Sequence, residues 1–223
     1  MTVLKFFLDE RWFNTNDFTI MTLVISNKGL LNNYMTYLFN EFSGKEDYWK
    51  IEIDKAPKDL DEFADFIPNY FQLDINTKRN INALYKMLKK LYYEKLENDI
   101  STLKEQTSKI VKEIAMDFDV ELVVNNEIRE DDLFKIMDLR FSDYDLTYKE
   151  KLIKYLLVTN ELRGINIFFC MNLHEYFSND DINDIVKELD YRKIKLINLE
   201  FYKNYSELAE EFTLEIDSDL CSI

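Results

Sequence analysis

The sequence predicts an α/β fold, a mostly parallel sheet head with a protruding helical-hairpin leg, and three observations carry that expectation. Short continuous apolar runs, "INIFFCM" (165–171) and "KLINLE" (195–200), suit strands covered on both faces. Helical patterns alternate with such runs at both ends of the chain, as a helix-covered parallel sheet requires. In the middle, two long amphipathic stretches break the alternation.

Taken in order, residues 3–8 and 18–25 read as two strands joined by a polar turn around Asn14 to Asp17. The second runs straight into a helix from about Gly29 to Phe42, and many α/β proteins hold a nucleotide phosphate at such a junction. The turn here is Ser26-Asn27-Lys28-Gly29. A phosphate cradle needs several glycines so that backbone N–H groups can converge without Cβ atoms in the way. The chain has three glycines in all, Gly29, Gly44 and Gly164, and neither the Walker nor the dinucleotide pattern occurs. The junction has the architecture of a nucleotide site without its chemistry.

Farther on, "YWKIEID" (48–54) reads as a strand, a short helix follows near Asp59 to Ala64, and Pro68 closes the apolar stretch "FADFIPNYF". Thr147 with Glu150 and Ser178 with Asp181 are capping-box starts for helices of about 148–160 and 179–189. The resulting division is a head formed by residues 1–75 and 140–223, with a leg of residues 76–139.

In the leg, Ile81, Leu84, Tyr85, Leu88, Leu91 and Tyr92 fall on one stripe of a helix spanning Thr77 to Asn98, with Arg79, Lys86 and Lys90 nearly opposite. A second helix, about Asp99 to Met116, places Ile100, Leu103, Ile110, Val111 and Ile114 on one side and Lys109 and Lys112 toward the other. Two such helices can bury their stripes against each other while both basic faces stay wet.

Bulk properties narrow the function. At 223 residues with 47% hydrophobic and 15% aromatic content, the chain can bury a core as one or two domains. No run of eighteen apolar residues exists, and Lys5 and Asp9 interrupt the N-terminus before a signal-peptide core forms, so a soluble cytoplasmic protein is expected. Cys170 and Cys221 make neither zinc spacing nor a disulfide framework.

The formal charge of −15 argues against nucleic acid until its distribution is considered. Residues 76–116 hold nine basic side chains against five acids, a net of +4, which leaves −19 for the remainder. One segment is kept positive within an acidic molecule.

Enzymatic signals are thin. His174 is the only histidine, and no nucleophile elbow accompanies it, so a histidine at a strand end reads as structural or solvent-facing. In "MDFDVELVVNNEIREDD" (116–132), Asp117, Asp119 and Glu121 alternate and share a face if extended. Such a patch is either a solvated acidic edge or a site for a hard cation, calcium or magnesium. Beside DNA binding stand two other function classes: an NTPase or metal-dependent nuclease, and a purely structural helical docking protein.

The order of features resembles the type II-A CRISPR-associated adaptation protein, the short-form Csn-two family. The resemblance rests on "LKFFLDE", on "FQLDINTKRNINALYKMLKKLYYE", and on "KYLLVTNELRGINIFFCMNLHEYFSNDDINDIVKELDYRKIKLINLEF", and it covers essentially the full chain. It implies a head related to P-loop ATPases but lacking a Walker motif. It also implies a non-enzymatic, ring-shaped homotetramer that takes linear double-stranded DNA, notably its ends, through a positively lined hole. Such proteins serve spacer acquisition beside the CRISPR integrase pair and the RNA-guided effector nuclease, with calcium stabilising the legs. Carried onto this sequence, Lys78, Arg79, Lys86, Lys89, Lys90, Lys109 and Lys112 are the DNA-facing positions. Asp119 and Glu121, with Asp117 and Glu127, are the metal positions. The hydrophilic "NNEIRED" stretch and the leg tyrosines depart from the family pattern.

Overall fold

The structure, a computed structural model, describes residues 2–5, 12–14, 17–42, 50–53, 56–116, 129–203 and 211–216. The chain divides into two compact units, residues 1–75 with 143–223, and residues 76–142. The first unit opens with β1 (Thr2–Lys5), β2 (Trp12–Asn14), β3 (Ile20–Ile25), α1 (Lys28–Glu41), β4 (Lys50–Ile53), β5 (Ala56–Lys58), α2 (Leu60–Phe63) and β6 (Ala64–Ile67). The second unit contains α3 (Lys78–Leu91), α4 (Tyr93–Ala115) and α5 (Glu130–Ile136). The first then resumes with α6 (Tyr148–Arg163), β7 (Ile167–Met171), α7 (Leu173–Tyr176), α8 (Asn179–Arg192), β8 (Lys195–Glu200) and β9 (Glu211–Ile216).

Two sheets form. β2-β1-β4-β5 is antiparallel, whereas β6-β7-β8-β3-β9 is parallel throughout. Across the parallel sheet, Ile67, Cys170, Asn198, Thr22 and Thr213 stand in register. Side chains alternate along each strand, so the two faces differ in character. One face carries Phe169, Ile197, Leu199, Met21, Leu23 and Leu214, which pack with Tyr34 and Leu38 of α1 and Leu60 of α2 into an apolar core.

The opposite face is partly polar, and several of its polar groups are tied to neighbours. At the β6 edge, Asp65 accepts from Arg163 Nη1 at 2.7 Å and from the Tyr155 hydroxyl at 3.0 Å, fastening α6 to the sheet. Burial, reinforced by that carboxylate, pushes the Tyr155 phenol well above its ordinary pKa. Nearer the centre, Asn198 Nδ2 donates to Glu200 Oε1 at 2.9 Å and to Thr22 Oγ1 at 3.3 Å, while its Oδ1 accepts from the Leu173 amide at 3.1 Å. Thr22 donates in turn to Glu211 Oε1 at 2.5 Å, and His174 Nε2 lies 2.9 Å from the same oxygen. The His174 and Glu211 side chains are only 1% and 0% exposed. The lone histidine is therefore structural: it closes a buried chain of hydrogen bonds that joins α7 to three strands.

Several elements differ from the sequence reading. Residues 3–8 and 18–25 are not a strand pair: β1 belongs to the antiparallel sheet, while β3 lies inside the parallel one. "FADFIPNYF" contains the edge strand β6, and "EFTLEI" forms the other edge, β9, which the periodicity did not single out. The helix expected over Thr77 to Asn98 stops at Leu91, and the next begins at Tyr93 instead of Asp99. Tyr92, at φ −120° and ψ 22°, is the sole joint. A helical hairpin commonly takes about two to five loop residues; here one residue separates the two helices.

Two predictions follow from this packing. Gly164 ends α6 in the left-handed region at φ 72°, where its amide bonds the Asn160 carbonyl at 2.8 Å. Gly164→Ala is expected to cost about 1–2 kcal/mol in urea unfolding, because a Cβ is strained at that φ whatever the space around it. Burial raises the Glu200 carboxyl above its ordinary pKa, against the opposing pull of hydrogen bonds from the Asn198 side chain and the His174 amide. The folded chain then keeps a proton that the unfolded chain loses first. Its contribution to stability is complete below the unfolded pKa of about 4.3 and falls as pH rises toward the folded pKa. Glu200→Gln keeps an acceptor for both donors without the titration. The stability difference between variant and parent should move in the variant's favour between about pH 4 and pH 8. A constant difference across that range would show that Glu200 titrates alike in both states.

Candidate nucleic-acid interface

α3 starts because Thr77 caps it, its hydroxyl oxygen accepting from the Asn80 amide at 3.2 Å. Asn80, Leu84 and Tyr85 are buried along one side, flanked by Ile81 and Leu88, both half-buried. At about 100° per residue, Arg79, Lys86 and Lys90 project nearly opposite that stripe, and all three are exposed. Lys78 is exposed as well, whereas Lys89 is half-buried at the flank and engaged within the chain.

α5 and the segment after it cover the apolar stripe. The Tyr85 ring packs on Phe134 at 5.3 Å, and its hydroxyl lies 3.1 Å from the Leu139 carbonyl and 3.4 Å from that of Phe134. Asn76 adds a two-point clamp: its Nδ2 donates to the Phe141 carbonyl at 3.0 Å and its Oδ1 accepts from the Phe141 amide at 2.8 Å. The sequence reading merged the start of α5 into the acidic stretch. In the structure those acids serve the helix: Asp132 caps the Arg129 amide at 2.9 Å, and Lys135 bridges Asp131 at 2.7 Å and Asp132 at 3.3 Å. The missed signal was the acidic first turn ahead of Leu133 and Phe134.

Charge is sorted between the two long helices. Over 78–91, α3 carries five bases (Lys78, Arg79, Lys86, Lys89, Lys90) and no acid. α4 carries four bases (Lys95, Lys104, Lys109, Lys112) against five acids (Glu94, Glu97, Asp99, Glu105, Glu113), so the positive excess belongs to α3 alone. Among the described residues, none of Lys78, Arg79, Lys86, Lys90, Lys109 or Lys112 forms an ion pair. Lys109 and Lys112 share an open concavity on α4 with Glu105, Thr102, Gln106 and Ser108. On α4 only Ile100 of the expected apolar stripe is buried, and Ile110 and Ile114 are each 57% exposed.

The four expected metal positions, Asp117, Asp119, Glu121 and Glu127, lie outside the described residues. Among the described residues, no group of three or more His, Cys, Asp or Glu side chains is placed to hold a metal ion. No described helix is long and apolar enough to cross a membrane. At the β3–α1 junction, Asn27 Oδ1 accepts from the Leu30 amide at 3.0 Å, and a Cβ on Gly29 would stand 3.4 Å from that oxygen. The Lys28 ammonium is turned over the Phe201 ring, 5.4 Å from its centroid. A side chain of the protein itself thus takes up a donor that a phosphate would use elsewhere.

Comparison with known proteins adds three findings. No curated protein matches. Among solved structures, one similar chain is named as an ABC transporter (ATP-binding protein) from Pyrococcus furiosus, with TM-score 0.41 and 10% identity over 96% of this chain and 97% of that one. A bacterial Atm1-family ABC exporter with ATP bound gives TM-score 0.37 and 11% identity over 89% of this chain and 34% of that one; neither likeness carries an argument. A family model described as CRISPR-associated protein (Cas_Csn2) matches residues 46–220, well over half the sequence and spanning α3, α4 and the parallel sheet apart from β3, so the chain belongs to the Cas_Csn2 family of CRISPR-associated proteins.

Proposed function

We propose that this protein binds linear double-stranded DNA through the outward face of α3, without reading sequence, as a ring-shaped homotetramer acting in CRISPR spacer acquisition in the cytoplasm. The observation that supports it is the composition of that helix: five bases and no acid, of which Lys78, Arg79, Lys86 and Lys90 are exposed and outside any ion pair among the described residues. The placement is costly to the isolated helix. Its first turn has no acidic residue and holds Lys78 and Arg79, where the helix dipole disfavours cations by about 0.3–1 kcal/mol each at low salt. A polyanion offsets that cost, and a solvated surface gains nothing from it.

Phosphate contacts alone hold a duplex without sequence preference. The net −19 of the rest of the chain repels DNA from other surfaces, so the charge of −15 overall and DNA binding are compatible. No catalytic step is part of this reading; the domain supplies grip, and the chemistry of integration belongs to its partners.

Binding to a labelled linear duplex should weaken steeply with salt, log affinity falling by about 0.9 per unit of log salt for each phosphate neutralised. The triple variant Arg79→Glu, Lys86→Glu, Lys90→Glu should lower that slope by about 2.7 for each subunit engaged while leaving the urea midpoint in place, since all three side chains are exposed. Unchanged binding in the triple variant would move the interface off α3. In competition, linear duplex should displace the label and a closed circle of equal length should not; equal competition would exclude loading over ends.

A further inference from the structure

The first unit carries a knot of aromatic rings just past the C-terminal ends of β6 and β7. Phe71 meets Tyr148 edge to face at 4.9 Å and Tyr176 at 5.3 Å, both at 86°. Behind them, buried Tyr70 packs on Tyr176 at 5.5 Å and on Phe177 at 5.0 Å. The three outer rings nonetheless remain 53%, 54% and 51% exposed. They come from three separate segments, and α6 begins at Tyr148, so rigid elements and buried rings fix their positions before any partner arrives. Loops at the carboxyl ends of parallel strands are where such folds present function.

The surroundings say what the rings can take. Residues 69–75, 143–150 and 172–180, which carry them, hold Asp74, Asp143, Asp145, Glu150, Glu175 and Asp180, all exposed. The one Lys or Arg in these segments, Lys149, is committed to Asp181 at 2.9 Å and Asp184 at 3.0 Å. Those two carboxylates hold its ammonium well above the ordinary lysine range. A nucleic acid is repelled by this rim. The area is small too: half of three rings of roughly 150–250 Å² each leaves about 300 Å², short of the roughly 800 Å² per partner of a stable protein interface. A short segment fits where a second folded subunit does not. Exposed ring faces within an acidic rim favour a guanidinium or ammonium, through cation–π contact and Coulomb attraction together.

We propose that the Phe71–Tyr148–Tyr176 knot is a docking surface for a short, arginine-bearing segment of another protein, distinct from the basic face of α3. It does not depend on the DNA-binding reading.

The test uses the full-length protein and a fluorescein-labelled peptide in which three arginines alternate with leucines, its glutamate counterpart serving as control. The arginine peptide should bind, weaken with salt, and lose at least ten-fold in affinity in Phe71→Ala/Tyr176→Ala, while the glutamate peptide stays free. Because ring removal can loosen the fold, Asp143→Asn/Asp145→Asn provides a second variant. Asp145 has φ 55°, a conformation asparagine tolerates, and loss of two charges should weaken the peptide several-fold at low salt. Arg79→Glu/Lys86→Glu/Lys90→Glu should leave peptide affinity unchanged or raise it slightly. Equal peptide affinity in all variants would overturn the assignment. A fall in native mass in the ring variants would reassign the knot to a contact between copies of this chain, and loss of duplex binding in them would make it a nucleic-acid surface; either result overturns the proposal.

Discussion

A polar side chain in the middle of a covered sheet has to find all of its partners inside the protein, and Asn198 is the residue on which that constraint falls. It stands on β8, the central strand of the parallel sheet, and is 0% exposed. Its amide reaches Thr22 on β3 and Glu200 on its own strand, and its carbonyl oxygen receives the Leu173 amide as α7 begins. An aliphatic residue of similar size would leave Thr22, Glu200 and that amide short of a partner together, a loss several times that of a single exposed hydrogen bond. The side of the sheet that receives α6 and α7 is therefore specified by directional contacts, and the side that receives α1 and α2 by volume. Placement of α7 depends on the former, and with it the position of Tyr176.

Electrostatic design is equally uneven in the second unit. On α5, Asp131 and Asp132 are engaged locally by Lys135 and the Arg129 amide, which leaves these two carboxylates committed within their own helix. Tyr85 and Asn76 keep the apolar stripe of α3 turned inward by binding carbonyls and an amide of the 134–141 stretch. Exposure of Arg79, Lys86 and Lys90 is thus a product of packing on the opposite side of the same helix. Helix periodicity and tertiary hydrogen bonding point the same way, as they do in sequences with a single preferred fold.

Legibility followed the range of the contacts. β3, β7 and β8 could be read because strands buried on both faces are continuous apolar runs, and the starts of α6 and α8 because Thr147–Glu150 and Ser178–Asp181 cap locally. The edge strands β6 and β9 escaped because each has one half-covered side and a short, mixed pattern. The joint at Tyr92 had no signal: its side chain makes no cap hydrogen bond, whereas Asn98, at the expected boundary between the two helices, lies inside α4 and its carbonyl accepts from the Thr102 hydroxyl. The basic face of α3 was legible from spacing alone. The His174–Glu211 contact and the aromatic knot were not, since each joins residues tens of positions apart that no local pattern relates.

The concentration of positive charge on α3, five bases with no acid, also gives that helix a field of its own. An approaching polyanion would feel it within about a Debye length, roughly 8–10 Å, before the surfaces touch. Such an encounter would arrive partly oriented, which relieves part of the orientational penalty that slows docking between uniformly charged bodies.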